Sequence, residues 1–178
     1  MLGFDAGCRV NIFSQSVKNA IFDTLGSSIT DSTGTTTSIT CLEAHPLIYV
    51  LDNRVKVPND GTAGMVFLNP IDFPSMDYNE FPERVVQTYT CDLYYIMYRR
   101  ETDNPYEIAR IRTEALAAKL DTTFRLGLTF ADDTQMWWSR IQMLRSENDV
   151  ATALRQLKQP YAVGMFRFQV LLDTDLAG

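Results

Sequence analysis

The stretch Thr88–Arg112, TYTCDLYYIMYRRETDNPYEIARIR, changes its hydrophobic period halfway along. Up to Tyr98 the residues alternate: Tyr89, Cys91, Leu93, Tyr95 and Met97 form one apolar face, as in a strand whose side chains point to opposite sides in turn. The other face starts polar at Thr88, Thr90 and Asp92 and becomes apolar at Tyr94, Ile96 and Tyr98. After RRETD, Asn104 suits a helix N-cap, Pro105 suits the first helical position, and Glu107 completes the spacing of a capping box. Ile108, Ile111, Ala115, Leu116 and Leu120 then recur at helical spacing, which predicts a helix to about Leu120. Extended back to Arg84, the strand would reach roughly 50 Å at about 3.3 Å per residue, far beyond the usual length of about 5 to 6 residues.

Outward from this core, Val10–Leu25 places Phe13, Val17, Ala20, Ile21 and Leu25 on one helical face, with Gly26 where a left-handed cap is expected. Gly26–Ser38 is Ser/Thr/Gly-rich and predicts an exposed, mobile loop with some β tendency. SITCLEAHPLIYVLDNRVKVP reads as two β-prone pieces bent at His45-Pro46, since proline removes a ladder donor and restrains the residue before it. NDGTAG predicts a turn and MVFLNP a short strand, followed by a Pro-rich excursion over 69–83 expected to hold no regular element. Thr134–Glu147 and Tyr161–Thr174 predict two more strands, the latter with Phe166, Phe168, Val170 and Leu172 on one face. Between them a short helix is expected, capped at Asn148 or Asp149 and stopped before Pro160. The order predicts an α+β fold over 1–178: a mainly antiparallel β-sheet of four or more strands with two principal helices packed on one face.

With 178 residues, 46% hydrophobic and 21% charged, the chain suits one globular domain that buries roughly 70% of its unfolded surface. A net charge of -6, with the few cations dispersed, disfavours a nucleic-acid backbone binder, and sequence-specific nucleic-acid binding is not expected. No run is long and apolar enough for a membrane span, and MLGFDAGCRV lacks the basic start and apolar core of a signal peptide, so synthesis and use in cytosol-like conditions are expected. Cys8, Cys41 and Cys91 are odd in number and widely spaced, which suggests neither a zinc site nor a disulfide framework.

Chemical signatures are sparse. His45 stands alone in a strand-like setting and reads as a partly buried edge residue; GTAG and STG are too short and generic for phosphate cradles. Asp132 and Asp133, with Glu147, could in principle hold a divalent ion, but adjacent strand residues point opposite ways and an acidic turn is usually solvated. The expectation is no enzyme and no cofactor. Surfaces are more informative. Helices on one sheet face can cover Tyr95 and Met97, whereas Tyr94, Ile96 and Tyr98 need another cover, either the Pro-rich excursion or a neighbouring subunit. Trp137 and Trp138 pose the same question, because in a regular strand they face opposite sides. The subunit-interface candidates are therefore Tyr94, Ile96, Tyr98, Trp137 and Trp138.

The helix VNIFSQSVKNAIFDTL, the segment HPLIYVL, the strand VVQTYTCDLYYIMYRR running into DNPYEIARIRTEALAAKL, and the last strand GMFRFQVLLDT together resemble the tail terminator and tail-completion (neck) proteins of long-tailed bacteriophages. The resemblance covers most of the chain and rests on an order of elements, with no catalytic motif. It implies a virion structural protein, made in the host cytoplasm, that forms a homo-oligomeric ring, usually a hexamer. The ring would cap the tail tube and join the tail to head-tail connector proteins. The Pro-rich segment and the helix before the last strand depart from a minimal version of this pattern, leaving another neck component of related fold as an alternative. A soluble adaptor that adds a peptide strand along the edge of Arg84–Tyr98 is a further one, and a metal-dependent enzyme using Asp132, Asp133 and Glu147 the weakest.

Overall fold

The computed structural model describes residues 17–47, 57, 63–70, 75–78, 84–99, 104–125, 128–129, 135–143 and 149–175, with side chains undescribed at 70, 75–78, 84–87, 128–129, 135–143 and 172–175. The long strand is present as β5, Arg84–Tyr98, fifteen residues. Along its whole length it pairs antiparallel with β8, Tyr161–Asp175, in unbroken register from Arg84 opposite Asp175 to Tyr98 opposite Tyr161. Its other edge is taken by β3, Ala63–Pro70, and then β4, Ser75–Tyr78, both antiparallel. β7, Gln135–Met143, continues the sheet beyond β8 with an irregularity between Trp138 and Arg140, and β6, Leu128–Thr129, follows it. At the opposite end β1, Ser28–Thr30, and β2, Thr36–Glu43, form a hairpin, and β2 joins β3 in the sheet's parallel pairing. The order β1-β2-β3-β5-β8-β7-β6, with β4 beside β5, makes one mainly antiparallel sheet.

Among the described residues three longer helical stretches accompany it: α1, described over 17–25, α2, Pro105–Phe124, and α3, Asp149–Gln156; Pro46 and Leu47 are helical too, where a second β-prone piece was expected, and the rest of that piece up to 56 lies outside the described residues. α1 ends as expected, with Gly26 at φ +61° and its N–H donating to the Phe22 carbonyl at 2.8 Å. α2 starts at the predicted cap, where the Asn104 side chain accepts from the Glu107 N–H at 3.4 Å. Val17, Ile21 and Leu25 of α1 and Ala109, Leu116, Leu120 and Phe124 of α2 pack together on the sheet face of Tyr89, Leu93, Tyr95, Phe166 and Phe168. The α+β architecture, with two principal helices on one face, is thus the one expected from the sequence.

Several expectations are corrected. The Ser/Thr segment is no mobile loop: its residues build β1 and the start of β2, with Ile29, Thr37 and Ile39 inward and their neighbours outward. Threonine alternation on a pleated strand suits a half-buried hairpin as well as a solvated connector. Within the Pro-rich excursion, Ser75–Tyr78 forms β4. The inward face of α2 is Ala109, Arg112, Thr113, Leu116, Ala117, Leu120 and Phe124, so Ile108, Ile111 and Ala115 lie on its flank, half-buried. The helix is rotated because Arg112 and Thr113 are buried, which a hydrophobic stripe does not anticipate. It also runs to Phe124, where the Thr122 and Thr123 hydroxyls donate back to the Ala118 and Lys119 carbonyls at 2.9 and 3.5 Å.

Candidate assembly surface

On the first face, α2 lies so close to β8 that a Cβ on Gly164 would stand 1.9 Å from Thr113 Oγ1 and 2.7 Å from the Ala109 carbonyl oxygen. Only glycine permits this approach. Two cations of α2 then hold the hairpin down. Arg112, 6% exposed, donates through Nη1 to Tyr95 Oη at 3.1 Å, and its Nε lies 3.9 Å from Asp31 Oδ2. Asp31 meanwhile builds the hairpin turn: its Oδ1 accepts from the Thr33 N–H (2.9 Å), the Thr33 hydroxyl (2.5 Å) and the Thr35 N–H (3.1 Å). Burial pushes the Asp31 carboxyl up, but these three bonds and the Arg112 charge outweigh it and hold it below the ordinary carboxylate range. Lys119 Nζ donates to the Leu25 carbonyl at 2.8 Å and the Ser28 carbonyl at 3.0 Å, joining the end of α1 to the edge strand.

The second face is covered differently. Tyr94 and Ile96 of β5, Val163 and Met165 of β8, and Met65 and Phe67 of β3 form a separate apolar cluster with Val150, Ala151 and Leu154 of α3. Leu42, Ala44 and Leu47 close its flank. Tyr94 is 5% exposed and Ile96 fully buried, contrary to the expectation that this strand face is left uncovered within one chain. Part of the cover is α3, expected from the sequence as a helix without a place on the sheet, and the rest includes Val57 beside the flanking Leu42, Ala44 and Leu47. Tyr98 is half-buried, its ring edge-on to Tyr161 with centroids 6.4 Å apart. Trp137 and Trp138 sit on β7 opposite Leu171 and Val170; their side chains lie outside the described residues.

Where the apolar cluster ends, Asp92 and Arg167 face each other across β5 and β8 in a bidentate pair, Nε to Oδ1 at 2.8 Å and Nη2 to Oδ2 at 3.1 Å. The Tyr94 hydroxyl adds a donor to Asp92 Oδ2 at 3.4 Å. Burial, and then the Asp92 charge, pushes the Tyr94 phenol up to about 12. Asp92 is buried while the Arg167 side chain is 43% exposed, so the pair marks the border between the covered part of this face and the ribbon beyond it. Thr90 and Gln169, hydrogen-bonded at 3.3 Å, come next and are only half-buried.

β3 and β4 occupy Cys91–Ile96 and Val85–Thr88 on one edge of β5, and β8 the whole of the other, so the described strand offers no continuous edge for strand addition, and an adaptor working there loses its physical basis. His45 is half-buried as expected and meets Tyr94 edge-on at 6.1 Å. Cys91 is buried and Cys41 half-buried; burial pushes their thiols up to about 12 and about 11, which leaves them protonated and poorly nucleophilic at neutral pH. Cys8, Asp132, Asp133 and Glu147 lie outside the described residues. Among the described residues no three His, Cys, Asp or Glu side chains converge on a metal position, and no described helix is long and apolar enough to cross a membrane. No protein-family model matches this chain, and no curated protein is significantly similar to it.

Proposed function

We propose that the chain is a virion structural protein, a tail terminator-like subunit that assembles into a ring, caps the tail tube and joins the tail to the head-side connector. The observation that carries this reading is the β5–β8 ribbon. Two fifteen-residue strands pair without interruption, a span of roughly 50 Å. The twenty-residue helix laid against them measures only about 30 Å, at about 1.5 Å per residue. A ribbon that outruns its covering helix suits a subunit that meets neighbours along its length, through the head-to-tail contacts from which rings are built. The order of elements behind the resemblance to terminator and neck proteins supports the same reading.

The test is co-assembly. Purified chain mixed with terminator-free tail tubes and imaged by negative stain is expected to place one ring at the tube end and to block tube growth. Bare tube ends, with the chain remaining monomeric at every concentration reached, would overturn the reading.

A further inference from the structure

We propose that Lys119 is an edge stopper: its ammonium bars the free edge of the sheet at β1 against antiparallel pairing with the same edge of another molecule of this chain. Its role is independent of ring assembly and requires no element to move.

β1 ends the strand order, and among the described residues no strand pairs with its outer edge. The register decides which groups face outward. Ser28 lies opposite Ser38, Ile29 opposite Thr37 and Thr30 opposite Thr36. The Ile39 N–H donates to the Ser27 carbonyl at 2.8 Å, and the Asp31 N–H to the Thr35 carbonyl at 3.0 Å. Odd-numbered residues therefore turn their backbone groups towards β2, and those of Ser28 and Thr30 point away from it. The 3.0 Å contact between the Thr30 and Thr36 hydroxyls agrees, since cross-strand side chains approach most closely where the two residues exchange no backbone bond. An outward row of N–H and C=O groups is a template for a further strand.

There is also room for one. A cleft of about 670 Å³ runs along this edge, between residues 28–32 on one side and Ile111, Ala115, Ala118 and Thr122 of α2 on the other. Five consecutive strand residues line it, so β1 presents its edge to the cleft and not one face. Lys119 crosses this space: from an exposed position on α2, its Nζ donates to the Ser28 carbonyl at 3.0 Å and the Leu25 carbonyl at 2.8 Å. The Ser28 acceptor is thus already taken, and a cation stands where the backbone of an added strand would run. Displacing the ammonium breaks two charge-assisted hydrogen bonds, a loss that one ladder bond does not offset.

β1 has no protection of its own. From Gly26 to Ser38 there is no proline, and the sole charged residue, Asp31, is turned to the hairpin turn and to Arg112. Edge strands are commonly guarded by lysine or proline, and here the lysine comes from the neighbouring helix. The edge is also self-complementary. About Ile29, Ser28 and Thr30 each offer one N–H and one C=O, so two copies match around a two-fold axis, with Ser28 of one beside Thr30 of the other.

Sedimentation velocity of Lys119→Met, which keeps the apolar stem and removes the ammonium, tests this. The variant is expected to dimerise at least about tenfold more tightly than the unmodified chain. Lys119→Arg, which keeps the charge, is expected to match the unmodified chain. Hydrogen exchange locates the contact: the Ser28 and Thr30 amides, unprotected in the unmodified chain, are expected to become protected in the dimer. Adding Thr30→Pro removes an outward N–H and no bond to β2, and is expected to abolish the gain in association. Lys119→Gln, milder for the fold because it keeps an uncharged donor, is expected to shift association in the same direction and serves if Lys119→Met unfolds. Association no tighter than that of the unmodified chain in the folded variants overturns the proposal. So does association that leaves the two amides unprotected or survives Thr30→Pro, because the contact then lies elsewhere.

Discussion

The two faces of this sheet solve the same problem in opposite ways. Beneath α1 and α2, the odd positions of β5 meet a long helix pressed against Gly164 and a hairpin tied down by Arg112 and Lys119. On the other face, Tyr94 and Ile96 of β5 share one apolar cluster with Val57 and with α3, a helix of two turns that ends in a strained lysine. Both patches are buried, so burial alone does not distinguish them. What differs is the length and seating of the helix on each side. A long capped helix with buried polar ties is expected to open only with the whole domain, whereas a two-turn helix, too short to sustain itself in water, is expected to open more readily.

Substitutions can break or sharpen that contrast. The largest effect is expected at the first face. Phe166→Ala removes a fully buried ring from the main cluster and should cost about 3 to 5 kcal/mol of global stability, read by urea denaturation with every probe shifting together. Gly164→Val wedges a side chain into Thr113 and the α2 backbone and should cost roughly 3 kcal/mol; adding Thr113→Ala should return part of the loss, since the Ala109 carbonyl remains in the way. Equal destabilisation by Leu154→Ala and Phe166→Ala, both global, would erase the distinction between the faces.

A smaller effect is expected at the hairpin clasp. Asp31→Asn keeps an acceptor for the turn but removes the charge facing Arg112, and should cost about 1 to 3 kcal/mol. Because the Asp31 carboxyl is held below its ordinary range, its contribution is complete above the unfolded-state value, near 4, and is lost only as pH falls through the lower folded-state value. The gap between the unmodified chain and Asp31→Asn should therefore be flat from pH 8 to about 5 and close in more acidic buffer. At the alkaline end the sign is the same as for any buried neutral acid. Tyr89, Tyr94 and Cys91 are pushed up to about 12, so their neutral forms favour the fold below their unfolded values, and stability should fall as pH rises from about 9 towards 12. The smallest effect is expected at Lys158→Gly, a gain of about 1 kcal/mol confined to α3.

The contrast between the faces also explains what could be read in the sequence. Arg84–Tyr98 and the cap at Asn104-Pro105 were legible because period and capping are local properties, decided by residues a few positions apart. α3 was legible as a helix, but periodicity tells which side of a helix is apolar and not which face of a sheet it lands on. Tyr94 and Ile96 therefore read as uncovered. Arg112 was invisible as a buried group because its partners, Tyr95 and Asp31, come from other elements, and arginine is ordinarily exposed. The hairpin of β1 and β2 was hidden for a different reason: Ile29 and Ile39 are the aliphatic residues it gives to the main core, and threonines between them fit a loop and a strand alike.

Native-state hydrogen exchange of the unmodified chain over a series of low urea concentrations tests the difference between the faces most directly. The account predicts that the amides of 152–157 follow their own shallow isotherm, with a small urea dependence and a lower opening free energy, while those of Leu93–Met97 and Ala109–Leu120 merge into the global unfolding line. A single isotherm shared by all three segments would contradict it.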